Sequence, residues 1–217
     1  MKSKVLCMLV VFALFSALAA AQDAPKPYAN PATLKEKAPD VFKANFDTSR
    51  GVFVIEVHRD WSPNGADRFY NMVKSGFFDD VRFYRVVSGF MAQFGIHGDP
   101  AIMANWMNAR IPDDPKKESN KRGMVTFARS SAPNSRTTQV FINYGDNGQS
   151  LDNQGFTPFG KVITGMNIVD KLYSNYGDIE EQRGRGPSQA QFGAKGNAYL
   201  AKSFAKLDYI KKATIEP

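Results

Sequence analysis

Cysteine is almost absent from this chain of 217 residues, since Cys7 is its only one. Cys7 lies within an apolar run at residues 5–18, at the start of the chain. A single thiol cannot form an internal disulfide, a thiolate zinc site or a cysteine-ligated iron–sulfur cluster. Those chemistries are excluded, and a cysteine nucleophile is excluded from the processed chain.

Histidine is nearly as scarce, because the chain contains only His58 and His97. A catalytic zinc typically takes about three side-chain ligands, so two histidines are a poor basis for one. A triad that depends on histidine would have to use one of these two residues. We expect both to be surface or structural residues, and the sequence predicts neither a metal site nor a cofactor.

Long hydrophobic runs are also lacking, apart from residues 5–18. Lys2 and Lys4 precede that run, and the small residues Ala19, Ala20 and Ala21 follow it. A basic start, a short apolar stretch and a small-residue site are typical of a secretory signal, and the run is too short for a permanent membrane span. The sequence therefore predicts a signal peptide at 1–21 and an exported protein, periplasmic or secreted, without integral membrane association after cleavage.

The charge is basic but carries no long block of one sign. The chain has 28 Lys and Arg against 21 Asp and Glu, for a formal net charge of +7. The basic residues are scattered, which indicates solubility and weak steering of anionic partners rather than nucleic-acid binding. The tract Arg183-Gly184-Arg185-Gly186 is similar to RNA-binding glycine–arginine repeats, but as one short run it is interpreted as a solvated loop.

Composition divides the chain into three parts. After the signal peptide, residues 22–40 contain four prolines and predict a flexible, Pro-rich leader. Residues 41–217 have the length and balance of one domain. Within that domain the stretch at about 174–206 is an extended segment, of which 178–197 is polar, glycine-rich and predicted to be a loop with little core.

Short runs rich in Phe and Val alternate with turn residues along the domain. This pattern predicts strands at 42–48, 52–57, 81–87, 90–94, 124–128, 139–144, 156–163 and 209–215. Apolar residues at three- and four-residue spacing predict helices at 62–76 and 165–173, and a short one at 198–207. Since there is no βαβ rhythm, the pattern favours a closed or sandwiched β architecture.

The segment 83–95 places an arginine among large apolar residues. On a strand, Phe83 and Arg85 share one face and Tyr84 lies on the other. Burying a cation without partners is costly, and Gln93 could supply a partner. Gln139 and Phe141 again place an amide and an aromatic ring on one face. A cation, two amides and apolar rings suit a ligand with an apolar ring on a polar backbone.

The run Phe-Tyr-Arg-Val-Val-Ser-Gly-Phe-Met-Ala-Gln-Phe-Gly at 83–95 resembles the signature of the cyclophilin-type peptidyl-prolyl cis-trans isomerases, most closely the exported bacterial kind. Blocks at 123–128, 138–142, 151–152 and 159–162 continue the resemblance in the same order. Several ordered blocks with matching spacing are far more specific than a single short motif.

The resemblance implies a mainly β fold, a closed eight-stranded antiparallel barrel capped by two helices. It also implies that Arg85 is catalytic and that no cofactor or metal takes part. The substrate-binding residues that it implies are Phe90, Met91, Gln93, Ala128, Arg129, Gln139, Phe141, Leu151 and Phe156. Arg129 is expected to act through its main chain.

The implied activity is acceleration of X-Pro bond rotation during the folding of exported proteins. The partners would be unfolded or flexible proline-containing polypeptides, and the protein would be a monomer. The alternative is a proline-segment binding module, or a chaperone with little turnover, that uses the same groove. Arg85 and Gln93 favour the enzyme, because a binder has less need of the cation. A third alternative, a β-barrel that carries a small apolar ligand, requires an open interior.

Overall fold

A computed structural model describes residues 27–216 and shows a mainly β protein. The strands are β1 Val41–Thr48, β2 Gly51–His58, β3 Arg85–Val87, β4 Met91–Phe94, β5 Met124–Phe127, β6 Val140–Asn143, β7 Pro158–Thr164 and β8 Ile210–Ile215. The α-helices are α1 Pro63–Ser75, α2 Pro100–Trp106, α3 Gly148–Leu151, α4 Met166–Val169 and α5 Gln189–Ser203. Each predicted strand is present: β1 and β2 are one or two residues longer than expected, and the other six are one to four residues shorter.

The eight strands form one antiparallel sheet in the order β3-β4-β6-β5-β7-β2-β1-β8. The expected closed barrel is corrected, because among the described residues β3 and β8 share no ladder. The segment before β3 instead meets the start of β8 at the isolated bridge between Arg82 and Tyr209. The Phe83 N–H donates to the Asp208 carbonyl at 2.9 Å, and the Ile210 N–H donates to the Val81 carbonyl at 2.9 Å. Asp80 (φ 61°) forms a turn just before the bridge, so little extended backbone precedes β3 that could pair with β8.

The interior of the sheet is filled by phenylalanines. Phe46 stacks on Phe53 with ring centroids 5.1 Å apart, and Phe69 of α1 meets Phe159 of β7 at 4.9 Å. All four rings are fully buried. Burial of aromatic side chains contributes roughly 2–3 kcal/mol each before the entropy cost of ordering them. The core is therefore packed, which rules out the ligand-carrying barrel.

Helix α1 confirms the prediction over 62–76. Pro63 occupies its first turn, where a missing N–H costs nothing, and Gly76 ends it with φ 81°. Its buried side, which includes Ala66, Phe69 and Met72, faces the phenylalanine core.

A buried carboxylate, Asp114, holds the start of α1. It accepts hydrogen bonds from the Ser62 hydroxyl at 2.6 Å and from the backbone N–H groups of Asn64 and Gly65 at 3.1 and 3.0 Å. The Arg136 guanidinium donates to it at 2.9 Å. Burial alone would raise the pKa of Asp114, but the bonds from Ser62, Arg136 and Asn64 outweigh burial and lower it. Asp114 thus links α1 to the loop that carries Arg136.

The other helices differ from the predictions. The helix predicted at 165–173 is the short α4, and α2 was not predicted. Helix α5 begins at Gln189, inside the stretch expected to be a loop with little core, and its Phe192 is buried. Ser188 caps α5 and is itself held by Glu181 at 2.9 Å, so the helix start depends on a contact that periodicity does not show.

The signal peptide predicted at 1–21 and residues 22–26 lie outside the described residues. Residues 27–40, the described part of the predicted leader over 22–40, contact the domain. Tyr28 is buried against Phe77, and its carbonyl accepts a 2.8 Å bond from the Trp106 indole. Asp67 accepts the Ala38 N–H at 2.8 Å. Within residues 27–216 no helix has the length and hydropathy needed to cross a membrane.

Candidate active site

Three neighbouring strands place a cation, an amide and an aromatic ring in one row. Arg85 of β3 pairs with Gln93 of β4, and Gln93 pairs with Phe141 of β6. Residues directly opposite in antiparallel strands project to the same face. Met91, two residues before Gln93, shares that face. The row exists because β4 lies between β3 and β6.

An apolar cluster, separate from the main core, adjoins this row. Met91, Phe141 and Leu151 are its buried members, and Phe90 and Phe156 are among the half-buried residues packed on it. The rings of Phe141 and Phe156 meet edge to face at 5.8 Å. This second cluster gives the sheet an apolar pocket on its other surface.

The row and the cluster line one cavity of about 380 Å³. All ten residues predicted for the site line it: Arg85, Phe90, Met91, Gln93, Ala128, Arg129, Gln139, Phe141, Leu151 and Phe156. Residues that sequence reasoning missed line it too: Ser130, Ser135, Thr137, Ile179, Gln182 and Gln189. The last three come from the extended segment, so that segment forms one wall of the site.

A chain of hydrogen bonds orients the two amides. The Tyr84 hydroxyl donates to Gln139 Oε1 at 2.5 Å, and Gln93 Nε2 donates to the same oxygen at 2.9 Å. Arg85 Nη1 in turn donates to Gln93 Oε1 at 3.0 Å. With its oxygen engaged twice, Gln139 has only N–H groups left for a ligand. Burial raises the pKa of Tyr84 far above its ordinary value, so this hydroxyl remains a donor.

The Arg85 guanidinium has a second partner, Asp178. Its Nε donates to Asp178 Oδ1 at 2.6 Å and its Nη2 to Oδ2 at 3.2 Å. The guanidinium carbon lies 5.9 Å from the centroid of the Phe90 ring, so the cation borders the apolar cluster. Asp178 was missed because it lies 93 positions away, in a polar stretch without periodicity.

The side chain of Arg129 is engaged by neighbouring protein groups. It donates to the Gln154 carbonyl at 2.5 Å and lies 3.4 Å from Asp113. The preceding residue, Ala128, donates its N–H to the Gln139 carbonyl at 2.8 Å. These contacts fix the loop beside the cavity, and the expected main-chain role of Arg129 remains a prediction.

Comparison with known proteins gives a consistent result. Residues 43–189 match the family model described as "Cyclophilin type peptidyl-prolyl cis-trans isomerase/CLD". Peptidyl-prolyl cis-trans isomerase B of Escherichia coli (strain K12) is 34% identical over 134 residues, which cover 58% of this chain and 81% of that protein. A probable peptidyl-prolyl cis-trans isomerase of Brucella abortus (strain 2308) is 35% identical over 176 residues, 76% of this chain and 78% of that one.

The fold is also found in solved structures. A Cryptosporidium parvum cyclophilin-type isomerase aligns with a TM-score of 0.57 at 19% identity, over 82% of this chain and 98% of that chain. A structure determined in the presence of the dipeptide Ala-Pro gives the same TM-score at 21% identity, over 81% of this chain and 99% of that one. With the matching family model and the curated relatives, the chain belongs to the cyclophilin family and is a peptidyl-prolyl cis-trans isomerase.

Proposed function

We propose that the cavity holds an X-Pro segment and that Arg85 is the catalytic residue. The observation that carries this proposal is the position of the Arg85 guanidinium, 5.9 Å from the Phe90 ring at the edge of the apolar cluster. The related isomerase studied in the presence of Ala-Pro supports a proline-containing ligand for such a site. The proline ring would lie on Met91, Phe141 and Leu151, whose side chains form the apolar wall.

The chemistry requires no bond to be broken. Resonance makes rotation about a peptide bond cost about 18–20 kcal/mol, and this resonance is lost at the half-rotated state. There the proline nitrogen becomes a better hydrogen-bond acceptor than in either planar isomer. A fixed donor beside that nitrogen therefore binds the twisted state more strongly than the planar states, which is what catalysis requires.

Arg85 retains donors for this purpose. A guanidinium has five N–H groups, and the bonds to Asp178 and Gln93 use three of them. One N–H on each terminal nitrogen is left for the substrate. The amide N–H groups of Gln139 would hold a carbonyl of the substrate backbone. Binding then needs only apolar contact and hydrogen bonds, in agreement with a chain poor in Cys and His.

Exchange spectroscopy on an Ala-Pro peptide tests this function. With protein far below the peptide concentration, we expect separate cis and trans signals to exchange measurably faster than the uncatalysed time of roughly 10–100 s. Faster exchange supports the isomerase. Peptide signals that shift on titration, while the exchange rate stays at its uncatalysed value, would instead establish the binding module.

We also propose that the enzyme serves exported proteins, as a monomer acting on unfolded or flexible chains. The support is the signal-like pattern at 1–21, which ends in three alanines. N-terminal sequencing of the protein from fractionated cells is expected to begin at Gln22, in the fraction outside the cytoplasm. A cytoplasmic protein that still carries residues 1–21 would contradict export and leave the isomerase activity unaffected.

A further inference from the structure

The loop at residues 177–186, here the Asp178 loop, is closed by its own backbone. The Gly186 N–H donates to the Asp178 carbonyl at 2.7 Å, and the Gly184 N–H donates to the Ile179 carbonyl at 2.9 Å. A Cβ at Gly184 would lie 2.0 Å from the Asp178 carbonyl oxygen, and one at Gly186 would lie 2.7 Å from it. The glycines of the Arg-Gly tract therefore permit the close approach that shapes this loop.

The Asp178 loop is also anchored to the rest of the protein at two residues. Ile179 is only 3% exposed and belongs to the main core, and its N–H donates to Asp178 Oδ1 at 2.8 Å. On the other side, Glu181 accepts from the Ser188 hydroxyl at 2.9 Å and from the Ala190 N–H at 3.2 Å, at the start of α5. The carboxylate of Asp178 is thus held in place by groups other than Arg85.

Asp178 and Gln93 accept hydrogen bonds from different edges of the Arg85 guanidinium. Asp178 takes Nε and Nη2, while Gln93 takes Nη1. The side chains of Arg85 and Asp178 are 18% and 30% exposed, so the pair is shielded from much of the solvent. A two-point bond to a carboxylate fixes the plane of a guanidinium, which a single bond to an amide oxygen does not.

We propose that Asp178 is a positioning residue for the isomerase: it fixes the plane of the Arg85 guanidinium so that the two remaining N–H groups face the proline nitrogen. The proposal rests on the catalytic role of Arg85 proposed above. Asp178 does not itself touch the substrate in this scheme. Because Asp178 holds the guanidinium aligned in advance, Arg85 does not lose conformational entropy when the substrate reaches its twisted state.

Removal of the carboxylate is expected to act on turnover rather than on binding. We expect Asp178→Ala to lower kcat for an Ala-Pro peptide about 10-fold with KM nearly unchanged, because the apolar cluster that binds the ring is intact. Asp178→Asn keeps the shape and one acceptor oxygen, so its kcat should fall between those of Asp178→Ala and the wild type. Glu180→Ala, which removes an exposed carboxylate from the same loop, is the matched control and should leave kcat and KM unchanged.

A double-mutant cycle separates positioning from a structural role. In an Arg85→Ala background, Asp178→Ala should change kcat by less than about 2-fold, since nothing is left to position. An equal loss in both backgrounds would mean that Asp178 only supports the loop, and would overturn the inference. So would an unchanged or increased kcat in Asp178→Ala alone. If Arg85→Ala itself has no effect, the proposed catalytic role of Arg85 fails as well, which is a different result.

Discussion

Replacement of Arg85 by alanine is expected to lower kcat/KM for an Ala-Pro peptide by about 100-fold, which corresponds to about 2.7 kcal/mol of transition-state stabilisation. The guanidinium is a permanently charged donor that lies 5.9 Å from the Phe90 ring and donates to Gln93 in the cavity. Without the guanidinium, the apolar cluster still binds the proline ring. The proline nitrogen then has no Arg85 donor when the peptide bond loses its resonance. Exchange spectroscopy at several peptide concentrations should show the loss mainly in kcat.

One further variant tests whether the activity depends on the planar geometry of the Arg85 guanidinium or on its charge, and another serves as a control. Arg85→Lys keeps the charge and loses the planar fork, so most of the activity should still be lost. Arg122→Ala is the control, because Arg122 is an exposed arginine that pairs with Asp170 outside the cavity. Wild-type rates in Arg85→Ala, or an equal loss in Arg122→Ala, would exclude the proposed role of Arg85.

Replacement of Asp114 by alanine is expected to lower the free energy of unfolding by about 3–5 kcal/mol. The side chains of Asp114 and Arg136 are only 2% and 1% exposed, so the loss of Asp114 removes the buried counter-charge of Arg136. The carboxylate that remains near Arg136 is the partly exposed Asp113, 3.7 Å away. The start of α1 also loses the acceptor for the Asn64 and Gly65 N–H groups. Chemical denaturation at neutral pH measures the difference.

The adjacent carboxylate provides the control. Asp113 is 32% exposed and lies 3.4 Å from Arg129 and 3.7 Å from Arg136, and it accepts the Asn134 N–H at 2.9 Å. Since solvent screens these longer ion pairs, Asp113→Ala should cost about 1 kcal/mol, well below the cost at Asp114. The contribution of Asp114 also has a defined pH dependence. Because folding lowers the pKa of Asp114 below its ordinary value of 3.8, its stabilisation is present above that pH and is lost as the pH falls below it. The difference between wild type and Asp114→Ala should therefore shrink on acidification below about pH 4. A constant difference, or similar costs at positions 113 and 114, would contradict this account.

The fold was predictable where neighbours in sequence determine the structure. Helix α1 follows from apolar residues at helical spacing between Pro63 and Gly76, and the strands follow from alternating Phe and Val. The start of α5 was missed because Ser188 is held by Glu181, a contact that has no periodic signal. The contacts of the described part of the leader were not predicted for a similar reason, since Tyr28 is held by the distant Trp106 and Phe77.

Some residues of the site were likewise predictable from the sequence, and others were not. The signature at 83–95 identified Arg85 and Gln93, and ordered blocks elsewhere identified Gln139 and Phe141; the cavity contains them all. Neither composition nor spacing indicated Asp178, because a polar glycine-rich stretch is usually a solvated loop. Its approach to Arg85 requires closure of the Asp178 loop and burial of Ile179, both of which are long-range events.

The sequence by itself determined the family, the apolar side chains of the pocket and the identity of its cation, because these depend on residue types at fixed local spacing. Only the tertiary structure decided that an isolated bridge joins the segments just before β3 and β8, and that Asp178 pairs with Arg85. The physical reason is that both depend on pairing between segments far apart in the chain, at 82 with 209 and at 85 with 178. Such pairing is fixed by how the whole core packs, and no local pattern encodes it.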